Sequence, residues 1–154
     1  MSAQLALSFE PRRVFLVACV GQKLTAPAPA KKLYQSMWFR KARAYVEAQG
    51  GEWSILSALY GLVSSEQTIA PYDCTLNTMS ATERRSWTDK VLAQLAMEPG
   101  TEVVILAGRH YRAGLVEALE ARGHKVTVPM AGLGIGEQLA WLNQSIASLA
   151  SEEK

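Results

Sequence analysis

Ser57, Tyr60, Tyr72 and Asp73 lie in one irregular stretch, directly after a short apolar run, Trp53-Ser54-Ile55-Leu56. That run reads as a buried strand. The stretch from Ser57 to Asp73 reads as a long loop. Long loops inside a compact domain are functional or disordered, and this one carries Leu62, Val63 and Ile69 beside its tyrosines, residues that seek burial. It is therefore expected to be ordered, with Tyr60 and Tyr72 largely buried and their hydroxyls bonded. Two tyrosines, a serine and an aspartate held in an ordered loop after a strand form a candidate site. Asp73 either acts as a general base or holds a substrate amine, or it closes an Asx-turn.

Lys23 follows another apolar run, Val14-Phe15-Leu16-Val17-Ala18-Cys19-Val20, with Gly21 and Gln22 between. A lysine at such a position is a nucleophile or base if partly desolvated, and a plain loop lysine if not. Arg109 and His110 open a helix, where a phosphate or carboxylate is favoured; the alternative is a surface turn. Gly132-Leu133-Gly134-Ile135-Gly136 precedes the last helix. Its backbone N–H groups either face an anion or belong to a tight connection. It is neither a Walker loop nor the spaced dinucleotide fingerprint, and no cofactor is expected. Lys31, Lys32, Arg40, Lys41 and Arg43 crowd one segment that has no acid among them. They form a solvated helix face or a patch that faces phosphates.

The elements that must position these residues alternate. Val14–Val20 is the kind of continuous β-branched run that suits a parallel strand buried on both faces. Pro27 and Pro29 forbid ordinary helix or ladder pairing. A helix is expected from Lys32 to Gln49, with Tyr34, Trp38, Ala42, Tyr45 and Val46 on its apolar stripe and Gly50-Gly51 at its end. Ser80-Ala81-Thr82-Glu83 forms a capping box for a helix that Pro99-Gly100 ends. Strands follow at 102–107 and 125–128, and helices at 109–122 and 137–149. The order β-α-β-loop-α-β-α-β-α predicts a single three-layer α/β domain, a mainly parallel four-stranded sheet with helices on both faces. Residues 1–12 read as a flexible arm, 13–150 as the domain and 151–154 as a frayed tail. In such sheets ligands bind beyond the carboxyl ends of the strands. Residues 21–30, 57–73, 108–111 and 129–136 all fall at that edge.

The 154 residues suffice for one domain, 49% are apolar, and the net charge of +2 neither demands nor excludes nucleic acid. Cys19 and Cys74 are too few for a disulfide framework, and Cys19 reads as a small core residue. His110 and His124 lie apart, and no metal-ligand spacing occurs. There is no long apolar run and no signal-peptide pattern near the start, so a cytoplasmic protein without a membrane segment is expected.

Ser57-Ala58-Leu59-Tyr60-Gly61-Leu62, followed by Ile69-Ala70-Pro71-Tyr72-Asp73, resembles the S-x-L-Y-G-hydrophobic … I-x-P-Y segment of the YaaA-type peroxide-stress proteins, which implies DNA binding. From about Val14 to Asn143 the chain resembles an uncharacterised bacterial and phage family, a domain of unknown function. The shared elements are Cys19 with Lys23, Leu33-Tyr34 with Ser36 and Phe39, Gly132 to Gly136, and Trp141-Leu142-Asn143. Cys19 and Lys23 also resemble the Cys-x-x-x-Lys element of the archaeosine synthase core domain, which implies a lysine that attacks a deazaguanine base. Leu24-Thr25 depart from the Pro-Tyr found there. The layout, with Gly21-Gln22 after the first strand and Pro129 after the last, is similar to uracil-DNA-glycosylase-like folds.

The resulting expectation is an enzyme directed at a nucleobase or nucleotide, free or within DNA or RNA, by N-glycosidic cleavage or lysine-mediated base modification. Lys23 and Asp73 would carry the polar chemistry. Gln22, Ser57, Tyr60, Tyr72, Arg109, Gly132, Gly134 and Gly136 would bind substrate, and Lys31, Lys32, Arg40, Lys41 and Arg43 the nucleic-acid backbone. A non-catalytic nucleic-acid or nucleotide-binding module is the alternative.

Overall fold

The computed structural model describes residues 12–18 and 21–152. Most of the expected arm, Cys19, Val20 and the end of the tail lie outside the described residues. The elements are β1 (Arg13–Ala18), β2 (Ala28–Pro29), α1 (Ala30–Leu33), α2 (Met37–Ala48), β3 (Glu52–Ser57), β4 (Gly61–Ser64) and β5 (Thr68–Ile69). After a 3₁₀ turn at Leu76–Thr78 come α3 (Ala81–Gln94), β6 (Glu102–Leu106), α4 (Arg109–Ala121), β7 (Val126–Thr127) and α5 (Ile135–Glu152).

The main sheet has the order β4-β3-β1-β6-β7. β1 pairs in parallel with β3 and β6, and β6 with β7, while β4 runs antiparallel to β3. The α/β reading and the parallel core hold. The fifth strand comes from the stretch read as loop. Strand alternation along β1 divides the core. Phe15 and Val17 face α1, α2 and α5 through Leu33, Phe39, Val46 and Leu142. Val14, Leu16 and Ala18 face α3 and α4 through Trp87, Val91, Leu115 and Leu119. Both faces of β1 are thus dry, which is why its sequence is apolar throughout.

Three further expectations are corrected. The helix placed at 32–49 is two helices, because Tyr34 turns extended (ψ 128°) and Ser36 caps α2 by accepting from the Phe39 N–H at 3.1 Å. The break lets Leu33 and Gln35 pair their backbones with Leu24 and Gln22, which a continuous helix would forbid. The Ala/Pro segment does join a ladder: Ala28 and Pro29 oppose Ile69 and Thr68 in a separate two-stranded pair. Proline is tolerated on such an edge. Finally, α3 starts at its capping box, with Ser80 Oγ accepting from Glu83 N and Glu83 Oε1 from Ser80 N, but it ends at Gln94, well before Pro99. Leu95 and Met97 leave the helix to pack on the core.

The turn between β3 and β4 depends on Gly61, whose φ is +77°. A Cβ there would lie 2.3 Å from Gln94 Oε1. That oxygen accepts from Leu62 N at 2.8 Å, and Gln94 Nε2 donates to Tyr60 O at 3.2 Å. Gly61→Ala is expected to lower the unfolding free energy by about 1–3 kcal/mol, through strain in the left-handed region and the displaced amide. Urea unfolding measures it; a change within about 0.5 kcal/mol would show the turn to be unstrained.

Candidate site at the carboxyl edge

β1 lies between β3 on one side and β6 on the other, so the connections leave it in opposite directions. In open α/β sheets such a reversal is where ligands bind, beyond the carboxyl ends of the strands. Lys23 is placed there. Its backbone bridges Tyr34, with Leu24 N donating to Leu33 O at 2.9 Å and Gln35 N to Gln22 O at 2.8 Å. The half-buried Lys23 side chain lays its Nζ 4.4 Å from the centre of the Tyr72 ring and 5.8 Å from that of Tyr34. Nζ also donates to Gly21 O at 3.4 Å. A ring face attracts a cation, so the tyrosines hold the ammonium in position.

Tyr72 is the hub. Its hydroxyl is 2.6 Å from that of Tyr34 and bonds Ser57 and the Ala58 backbone. Burial pushes the Tyr72 phenol up from its ordinary range, against the lowering effect of the bonds from Ser57 and Tyr34, so it stays protonated at neutral pH. Tyr60 meets Tyr72 edge to face at 5.7 Å and 87°, with its hydroxyl 3.5 Å from Ala70 O. Ser57 is fully buried. Its Oγ accepts from Tyr60 N at 3.0 Å, and its carbonyl accepts from Trp87 Nε1 at 2.8 Å. The hydroxyls of Tyr60 and Tyr72 are bonded as expected, but both side chains are only partly buried. Tyr60, like Tyr72, is partly exposed, and Tyr72 is contacted by Lys23, Tyr34 and Tyr60 itself.

Lys23, Ser57, Tyr60 and Tyr72 therefore meet. Gln22 is exposed beside them, and Asp73 follows Tyr72 with its side chain in solvent. Gly132 adopts φ +82°, and Gly134 N donates to Glu137 Oε1 at 3.0 Å, inside its own helix start. Leu133 packs on the core, and Gly136 is exposed. Arg109 opens α4 as expected, and His110 Nδ1 lies 3.0 Å from Asn77 Oδ1. Both line a separate cavity of about 480 Å³ between α3 and α4, with Arg84 and Arg85. Lys31, Lys32, Arg40 and Arg43 line a cleft of their own, while Lys41 bonds Asn143 on α5. Among the described residues no group of three or more His, Cys, Asp and Glu side chains could hold a metal. No helix of the described residues is long and apolar enough to cross a membrane.

Sequence reading missed Tyr34 and Trp87 as site residues, because both fit the apolar stripe of a helix. The one local sign at Tyr34 is Ser36, a capping residue three positions before Phe39. For Trp87, whose partner is a carbonyl thirty positions away, there is none.

The chain is 27% identical over 149 residues to the uncharacterized protein YfjM of Bacillus subtilis (strain 168), an alignment spanning 88% of this chain and 95% of that protein. Residues 14–144 match DUF6884, a family of unknown function, and the chain belongs to that family.

Proposed function

We propose that the site at the carboxyl edge takes a nucleobase, free or carried by a nucleotide or nucleic acid, and that the protein acts on it by N-glycosidic cleavage or base modification. The observation that carries the reading is the Lys23 ammonium held over the Tyr72 ring at 4.4 Å, beside the exposed part of Tyr60. Tyr60 offers a face for a planar base, and base–aromatic stacking is indifferent to the sugar or chain behind it. In N-glycosidic cleavage the C1′–N bond breaks with its electron pair going to the base, and water supplies the hydroxyl at C1′. Lys23 then stabilises the negative charge on the departing base and passes it a proton. Asp73, exposed one residue beyond Tyr72, is placed in the reading as the group that takes the proton from the attacking water. Tyr34, Ser57 and Tyr72 are positioning residues. The resemblance of Ser57–Leu62 to a segment of the YaaA-type proteins points the same way, and a cytoplasmic location fits such a substrate.

A binding module without turnover is the second reading, favoured by the same ion–ring contact, since an ammonium so held also serves simply as a cation. The separating experiment incubates the protein with nucleosides, nucleotides and oligonucleotides of varied base. Released base is followed by chromatography and the protein by intact mass, with and without borohydride. Base release, an altered base mass or an adduct on Lys23 supports the enzyme reading. Saturable binding without any of these overturns it in favour of the module.

A further inference from the structure

The break between α1 and α2 has a second consequence. In one straight helix Lys32, Arg40 and Arg43 would form a convex stripe. With the chain bent at Tyr34–Ser36, Lys31 and Lys32 instead oppose Arg40 and Arg43 across a cleft of about 310 Å³ walled by Tyr34 and Gln35. Both guanidiniums are oriented before any ligand arrives. Arg40 Nη2 donates to Gln35 Oε1 at 2.6 Å, and Arg43 donates to Glu47 Oε2 at 3.1 Å and to Lys31 O at 3.2 Å. Each retains further donors in a fixed fork that suits tetrahedral oxyanions. Lys32 is exposed. Two carboxylates temper the charge, Glu47 on Arg43 and Glu66 on Lys31. The bond from Lys31, and after it the charges of Lys31, Arg43 and Lys32, hold the Glu66 carboxyl below its usual range.

We infer that this cleft binds phosphate, either the terminal phosphates of a nucleotide or successive phosphates along a phosphodiester chain. Tyr34 walls the cleft and bonds the Tyr72 hydroxyl, so one side chain separates the phosphate from the site that holds Lys23. A ligand with its phosphate in the cleft and its base on Tyr60 spans both. That spanning ligand rests on the base-directed reading; the phosphate cleft alone does not.

The full chain is titrated calorimetrically at low salt with inorganic pyrophosphate, a nucleoside 5′-triphosphate and a single-stranded DNA dodecamer. Pyrophosphate is expected to bind, and Lys32→Ala/Arg40→Ala to weaken it about tenfold or more, since each lost contact is a charge-assisted hydrogen bond. Both residues are exposed, so the double variant retains its core. Glu66→Gln, which frees Lys31, is expected to tighten pyrophosphate about two- to fivefold, the scale of one exposed ion pair. Pyrophosphate that fails to bind the wild type, or that binds the double variant equally well, overturns the cleft. This arm contains no base, so it fails or succeeds separately from base release. Competition between triphosphate and dodecamer then fixes the source: preference for the dodecamer with a steep salt slope assigns a phosphodiester chain, and preference for the triphosphate a nucleotide.

Discussion

Lys23→Met is expected to slow base release by about 10²- to 10⁴-fold, the range for losing a positioned proton donor. Methionine keeps the length and apolar stem of the side chain, so the packing beside Tyr72 is largely preserved while the charge goes. The loss should fall on kcat, because the ammonium acts most strongly on charge that develops as the C1′–N bond breaks. Lys23→Arg divides the possible roles. Arginine keeps a cation over the Tyr72 ring but has no amine that can add to carbon. Partial activity in Lys23→Arg assigns the lysine to charge stabilisation; none, together with a mass adduct on the wild type, assigns it to covalent chemistry. Equal turnover in Lys23→Met and wild type would remove Lys23 from the mechanism. Tyr72→Phe supplies the contrast. It keeps the ring under the ammonium but gives up the hydroxyl's bonds to Tyr34 and Ser57, so its effect should be the smaller of the two.

The largest effect on stability is expected at Trp87. Trp87→Ala should lower the unfolding free energy by about 3–5 kcal/mol, the usual cost of emptying a large aromatic site. The ring is 4% exposed and packs edge to face on Tyr111 at 5.6 Å and 86°. Its Nε1 is the donor to the carbonyl of Ser57, a residue with no exposed surface. The alanine variant thus leaves both a cavity and a buried acceptor without its donor. Trp87→Phe keeps most of the aromatic volume while removing the donor, and should cost less, about 1–3 kcal/mol. Far-UV circular dichroism in urea measures both. A loss below about 1.5 kcal/mol for Trp87→Ala would mean that α3 closes over the gap. The same variants reach the site, because the Ser57 backbone that Trp87 holds carries the hydroxyl bonded to Tyr60 and Tyr72.

Much of this was legible in the sequence wherever the signal is local. The apolar run of β1 marks a strand wet on neither face. Ser80 and Glu83, three residues apart, mark the start of α3, and both bonds of the box form. Alternating strands and helices imply the parallel sheet, and the rule for such sheets places Lys23 and the Ser57–Asp73 stretch at one edge. Each of these follows from the spacing of a few neighbouring residues, since helical period, capping and strand burial act over one or two turns of chain. What stayed hidden depends on partners far along the chain. Tyr34 reads as one more apolar position on a helix; only the backbone of Gln22–Leu24, arriving as a short antiparallel partner, makes the extended conformation at Tyr34 the better one. Gly61–Ser64 reads as loop because four residues carry too little pattern to declare a strand, and it becomes one by pairing with β3 and by the clamp from Gln94. The contact between the Tyr34 and Tyr72 hydroxyls joins positions 38 apart, and the basic cleft exists only because the helix bends. Residue type and short spacing thus determined which elements form and which edge they point to. Packing across the sheet decided which side chains meet there, because those contacts gain their stability only once distant segments have been brought together and the entropy of closing the loops between them has been overcome.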